Sequence, residues 1–141
     1  MVMVCIFCQT KLDVINSRPN KRSNQIWRRR QCPNCHAVFT SSEIIDLSKS
    51  IRYETAEKRL EPFWRPILLI SIYEACKHRK APQNDANALT DTIIARLLRK
   101  KSAVITRNEL CKVTTEVLSR FDKAAAVQYK AFHPIKSEAK L

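Results

Sequence analysis

Four of the six cysteines in this 141-residue chain fall into two pairs of identical spacing, Cys5-Ile6-Phe7-Cys8 and Cys32-Pro33-Asn34-Cys35. Two residues between cysteines let both thiolates of a tight turn point at one cation. Two such turns complete a tetrahedral all-thiolate zinc site with bonds of about 2.3 Å. The intervening Gln9 to Gln31 is long enough to run out as one strand and return as another, which is the plan of a ribbon. A closed four-thiolate site has no open coordination position, so its zinc is structural rather than catalytic. Disulfides do not suit a cytosolic chain. A thioredoxin-type pair sits in a βαβ setting and does not come twice in so short a segment. His36 adjoins Cys35 but is expected at the surface, because four cysteines already fill the ligand set. Cys76 and Cys111 lie at apolar helical positions, where free cysteine acts as a small hydrophobe, and are expected in a core.

The second group with chemistry is Trp27-Arg28-Arg29-Arg30, just ahead of the second cysteine pair. In an extended strand Arg28 and Arg30 project to one face while Trp27 and Arg29 project to the other. Arginines on a metal-anchored hairpin suit phosphate clamping or a base-edge contact in a groove. Arg18, Lys21 and Arg22 in the preceding loop can join the same surface. An edge strand guarded by charge against aggregation is the plainer alternative. The net charge of +13 favours a nucleic-acid partner, without separating DNA from RNA.

The elements that must position these groups follow from texture. Residues 1–47 carry short β-type runs at Leu12 to Ile15 and Gln25 to Gln31, and form the ribbon. Residues 48–62 read as a connector with a short strand around Ile51 to Tyr53. From 63 to 133 the spacing is helical. Phe63, Ile67, Ile70, Tyr73 and Cys76 mark one packed stripe over 63–79, and Leu89, Ile93, Leu97 and Leu98 mark a second over 87–100. Thr106-Arg107-Asn108-Glu109 matches a capping box, and Leu110, Val113, Val117, Leu118 and Phe121 continue that helix's apolar face. Asp122 is placed to cap a last helix from Lys123 to about Phe132, ahead of Pro134. The tail, 136–141, is expected to fray.

Composition bounds the rest. Seven basic and three acidic residues lie in 1–47, leaving nineteen and ten for the remainder, so the excess charge runs through the whole chain. There are no glycines, which removes Walker loops and Rossmann turns and leaves Asn and Asp to supply left-handed turn residues. The longest apolar run, Pro66 to Tyr73, is far short of a membrane helix, and Met1 to Phe7 lacks the features of a secretory signal, so a cytoplasmic location is expected. No carboxylate pair, Ser/His/Asp set or open metal site can be assembled, and His78 and His133 stand apart from any nucleophile; no enzyme is expected.

Several segments resemble the NrdR family, bacterial transcriptional repressors of ribonucleotide reductase genes. Val14-Ile15-Asn16-Ser17-Arg18, Trp27-Arg28-Arg29-Arg30-Gln31-Cys32 and Cys35-His36-Ala37-Val38-Phe39-Thr40 are similar to the family's zinc ribbon. Asn16 stands for its usual Asp, Trp27 for the first Arg of its arginine run, and Val38 for an Arg. Further on, Glu61-Pro62-Phe63, Glu74 to Arg79, Phe121 to Ala125 and Tyr129 to Phe132 look like parts of the family's ATP-cone.

The resemblance implies an α+β chain with a four-cysteine zinc ribbon over 1–47 and a mainly helical ATP-cone-like domain with a short β element over 48–135. It implies binding of operator DNA beside the bacterial nucleoid, homo-oligomerisation, and an ATP or dATP site. Ile67 stands where the family carries a lysine, and Ser71 where it carries a glycine. An aliphatic group does not replace a point charge on phosphate. Lys58 and Arg59, with Glu61, are the residues left to take up a nucleotide. Two alternatives stay open: an RNA- or ribosome-associated zinc ribbon, and a regulator that keeps its DNA site but has lost nucleotide sensing.

Overall fold

The computed structural model describes residues 2–135, which fall into two compact units that part between Ile45 and Asp46. The expectation for the tail at 136–141 lies outside the described residues.

The first unit is one antiparallel sheet in the order β1-β2-β3, built from Asp13–Asn20, Gln25–Gln31 and Val38–Glu43. β2 is central and carries the arginine run. Both expected β runs are present, and the strand after the second cysteine pair completes the sheet. Its core is small: the buried side chains are Cys5, Leu12 and Cys32, with Cys8 and Phe39 partly buried against them. All eight residues of β1 are exposed. One buried leucine cannot offset the conformational entropy of some forty ordered residues, so the metal must supply most of the folding free energy; structural zinc contributes roughly 10–16 kcal/mol.

The second unit begins with the short helix α1 (Leu47–Ser50). It continues with β4 (Arg52–Glu54), β5 (Leu60–Pro62), α2 (Arg65–Ala75) and α3 (Pro82–Leu98), then β6 (Val104–Thr106), α4 (Arg107–Phe121) and α5 (Lys123–Phe132). The four long helices pack in a ring, each on the next, and α5 returns to α2. A small mixed sheet adjoins them in the order β5-β4-β6, antiparallel between β4 and β5 and parallel between β4 and β6. β6 has no counterpart among the sequence expectations. Three residues give no alternation to read.

The helix boundaries rest on local chemistry. Pro66 sits in the first turn of α2 and Pro82 opens α3, positions where a missing N–H costs nothing. α3 therefore starts earlier than the expected residue 87. The capping box at α4 is complete: Thr106 Oγ1 accepts from the Glu109 amide at 3.2 Å, and the Thr106 amide donates to Glu109 Oε2 at 3.0 Å. Asp122 caps α5 by accepting from the Ala124 and Ala125 amides at 2.9 and 3.2 Å. Its other oxygen accepts from Arg79 at 2.9 Å and lies 2.8 Å from His78 Nε2. The His78 and Arg79 contacts, with the two amides, hold the Asp122 carboxyl well below the usual carboxylate range.

Two expectations need correction. The stripe of α2 that meets the core is Leu68, Ile72 and Ala75, flanked by Phe63 and Cys76, whereas Ile67 and Ile70 are 63% and 60% exposed. Ile67 to Ile70 is a run of four aliphatic residues, so spacing alone does not say which side turns inward. Nor are Asn and Asp the main source of left-handed residues. Gln9, Asn24, His36, Lys58 and Lys101 adopt positive φ, and only one of them is Asn. Gln9, His36, Lys58 and Lys101 are held by amide donation to the carbonyls of Cys5, Cys32, Thr55 and Leu98. Those bonds help offset a steric cost of about 1–2 kcal/mol apiece. Cys76 and Cys111 are buried in the second unit, as expected.

Candidate metal centre and nucleic-acid interface

Each cysteine pair folds the same way. The amide of Gln9 donates to the Cys5 carbonyl and that of His36 to the Cys32 carbonyl, both at 3.0 Å. The Cys5 and Cys32 amides in turn donate to Thr10 and Ala37 at 2.8 and 2.9 Å. Both turns aim an amide at sulfur: Phe7 N–H lies 3.4 Å from Cys5 Sγ and Cys35 N–H 3.5 Å from Cys32 Sγ. The left-handed Gln9 and His36 close these loops, so His36 is an exposed turn residue.

The four sulfurs lie within 4.8 Å of one another. Across the two turns, Cys5 Sγ is 3.6 Å from Cys35 Sγ and Cys8 Sγ is 3.4 Å from Cys32 Sγ. Sulfurs placed at about 2.3 Å around a tetrahedral zinc are about 3.8 Å apart, so the donor set fits the ion closely. Such a cluster cannot be fully ionised without a cation. Hydrogen bonding from Thr10 draws the Cys8 thiol down to about 5. At Cys35 the Ala37 amide favours the thiolate, yet burial and the sulfurs of Cys5, Cys32 and Cys8 outweigh it and push the thiol up to about 12.

The sheet sorts the expected nucleic-acid residues onto two faces. Opposed residues in an antiparallel pair share a face. Arg29 pairs with Asn16 and Thr40, and Trp27 pairs with Arg18 and Ser42. One face therefore carries Asn16, Arg18, Trp27 and Arg29. The opposite face carries Arg28 and Arg30, whose cross-strand partners are Ser17, Ser41 and Phe39 on that same side. There Arg28 Nη1 donates to Glu43 Oε2 at 2.9 Å, and Arg30 Nε to Ser41 Oγ at 2.8 Å. Arg29 is exposed, and its guanidinium has no hydrogen-bond or ion-pair partner among the described residues. Beside Trp27 the tip of the β1–β2 hairpin forms an open depression that brings in Arg18, Lys21, Arg22 and Gln25. The partners Ser41, Glu43, Asn16 and Thr40 were not legible in the sequence, because they follow from strand register.

Residues 3–43 match the family model described as "Transcriptional repressor NrdR-like, N-terminal domain". Over nearly its full length the chain is similar to Transcriptional repressor NrdR of Dictyoglomus thermophilum, with 34% identity covering 99% of this chain and 95% of that protein. The chain belongs to the NrdR family. Proteins of the same name from Chlamydia muridarum and Chlamydia felis are 30% and 29% identical, each over 90% of this chain and 83% of theirs. NrdR proteins are transcriptional repressors rather than enzymes, and the cysteine cluster is the structural zinc site of an NrdR ribbon. No helix among the described residues is long and apolar enough to cross a membrane.

The helical unit of this NrdR chain holds a cavity of about 220 Å³ lined by Tyr53, Glu61, Trp64, Ile67, Arg107 and His133 among others. Of the expected nucleotide residues, Glu61 lines it. Lys58 and Arg59 lie on the β4–β5 turn, outside that lining, where Lys58 Nζ pairs with Glu54 at 3.0 Å. The Arg107 guanidinium is engaged too, donating to the Pro134 carbonyl at 3.0 Å.

Proposed function

We propose that this chain is a zinc-dependent repressor that binds operator DNA through the sheet face carrying Arg18, Trp27 and Arg29. Lys21 and Arg22 in the hairpin loop add phosphate contacts. The observation that carries this reading is Arg29: exposed, central on the sheet, its side chain without a partner among the described residues, with Arg18 diagonal to it and no carboxylate directly opposite. Family membership supports the further proposals that the controlled genes encode ribonucleotide reductase and that the protein acts in the bacterial cytoplasm at the nucleoid. The excess charge on both units suits a polyanion, and the discrete reading face favours duplex DNA over diffuse binding to RNA.

Mobility-shift titrations across a range of salt test it. Lys21→Ala and Arg22→Ala are each expected to weaken binding uniformly and to lower the slope of log affinity against log salt by about 0.9. Arg29→Ala is expected to cost about 1–3 kcal/mol and to relax sequence preference at one base pair. Binding and slope left unchanged in all three variants would remove this face from consideration.

For the helical unit we favour a regulator that has lost triphosphate sensing, acting as a homo-oligomer through its exposed apolar surface at Trp64, Ile67 and Ile70. The cavity is small beside the roughly 300–1,000 Å³ of drug-sized ligand sites, and its rim bears Ile67 where a phosphate-binding lysine is needed. Equilibrium dialysis with ATP and dATP, with solution mass recorded before and after, is expected to find no saturable uptake and no change of mass. Saturable uptake with a change of assembly would restore adenine-nucleotide control of oligomerisation.

A further inference from the structure

Trp27 stands where the family carries the first arginine of its run, and the structure puts it at the centre of the proposed reading face. Arg18 lies opposite it on β1 and Ser42 opposite it on β3, with Arg29 two residues along the same strand. The indole forms one wall of the hairpin depression, with Arg18, Lys21 and Arg22 around it. Asn20 fixes the loop that bears two of those cations, its Oδ1 accepting from the Arg22 and Ser23 amides at 3.1 and 3.5 Å. The Trp27 indole makes no hydrogen bond among the described residues, and the residue is half-buried within the sheet face.

We infer that Trp27 is a specificity-determining residue that selects thymine in the major groove, through its 5-methyl group and O4. The inference rests on the DNA-binding reading above. Indole offers an apolar face and a single N–H donor, and it has no acceptor. Thymine alone presents a methyl group beside a major-groove acceptor; adenine and cytosine present amino donors that indole cannot satisfy, and guanine has no methyl. A recessed ring receives a projecting methyl, whereas a wedge that unstacks base pairs must protrude. Nor does the face supply a second aromatic side chain to sandwich an extruded base. Along a strand, side chains on one face recur about every 6.8 Å, which is roughly two base-pair steps. Arg29, paired to guanine, and Trp27, paired to thymine, therefore read bases about two steps apart.

The experiment takes the zinc-loaded full chain and a duplex selected from a random-sequence pool. Each thymine in turn is replaced by deoxyuridine, which removes only the methyl. At one thymine, about two steps from an essential guanine, the unsubstituted protein is expected to lose about three- to fivefold in affinity. Trp27→Ala is expected to bind more weakly and to show no methyl dependence. Trp27→Phe is expected to keep part of it, and Trp27→Arg to exchange the thymine preference for guanine at that base pair. Zinc content confirms that each variant ribbon is folded. A selected duplex with no methyl-sensitive thymine, or a methyl cost that persists in Trp27→Ala, would overturn the inference while leaving DNA binding intact. Failure to bind any duplex would overturn both. Single-stranded DNA bound as tightly as duplex, with quenching of Trp27 emission in a Trp64→Phe background, would replace methyl contact with base stacking.

Discussion

Chelation of zinc at neutral pH is expected to unfold the ribbon while the helical unit stays folded. Apart from Cys5 and Cys32, the ribbon buries one side chain, Leu12, so a metal contribution of roughly 10–16 kcal/mol has no counterpart in packing. The helical unit has its own core of sixteen buried residues, which none of the four ligands enters. Far-UV circular dichroism should therefore keep its helical signal. Trp27 emission should shift toward that of exposed indole, and proteolysis should cut freely between Met3 and Glu43. Cys32→Ser should reproduce the effect without chelator. Lowering the pH should do so progressively, since metal must compete with protons for thiolates. Protease resistance over that segment after complete zinc removal would refute a metal-dependent fold.

In the helical unit, measured at a dilution where the chain is monomeric, Ile72→Ala is expected to cost about 2–5 kcal/mol, whereas Ile67→Ala should leave stability within about 0.5 kcal/mol. Ile72 is fully buried against the core, while Ile67, five residues earlier on the same helix, is 63% exposed. For a unit of this size each kcal/mol moves the thermal midpoint by roughly 4–8 °C. The first variant should thus melt more than about 8 °C lower, and the second close to the unsubstituted protein. A larger loss at Ile67 than at Ile72 would mean that α2 packs through the other side.

The ribbon was the most legible part of the fold because its signals are discrete. Paired cysteines at fixed spacing have few alternative meanings, and alternation along Gln25–Gln31 by itself separates Trp27 and Arg29 from Arg28 and Arg30. Which face keeps its arginines free is decided by Ser41 and Glu43, and those contacts depend on how β3 registers against β2. In the helical unit the caps at Thr106 and Asp122 were readable because capping is local. The packed side of α2 was not, because aliphatic residues cover both sides of it. The cavity at Tyr53, Trp64 and Arg107 escaped as well. Its walls come from β4, α2 and α4 together, and no single segment carries its pattern.

The parallel pairing of β4 with β6 joins Arg52 to Val104 and Glu54 to Thr106, residues about fifty positions apart in the chain. The hairpin of β4 with β5 needs only a short turn. Closing the longer loop costs entropy before any strand bond is gained, and α2 and α3 lie within it. Loop-closure entropy therefore favours an order in which hairpin and helices form first and β6 docks once they bring Val104–Thr106 alongside β4. Tyr53 on β4 and Arg107, next after β6, flank that seam and line the cavity. The cavity is thus expected to take shape late in folding, when β6 closes against β4.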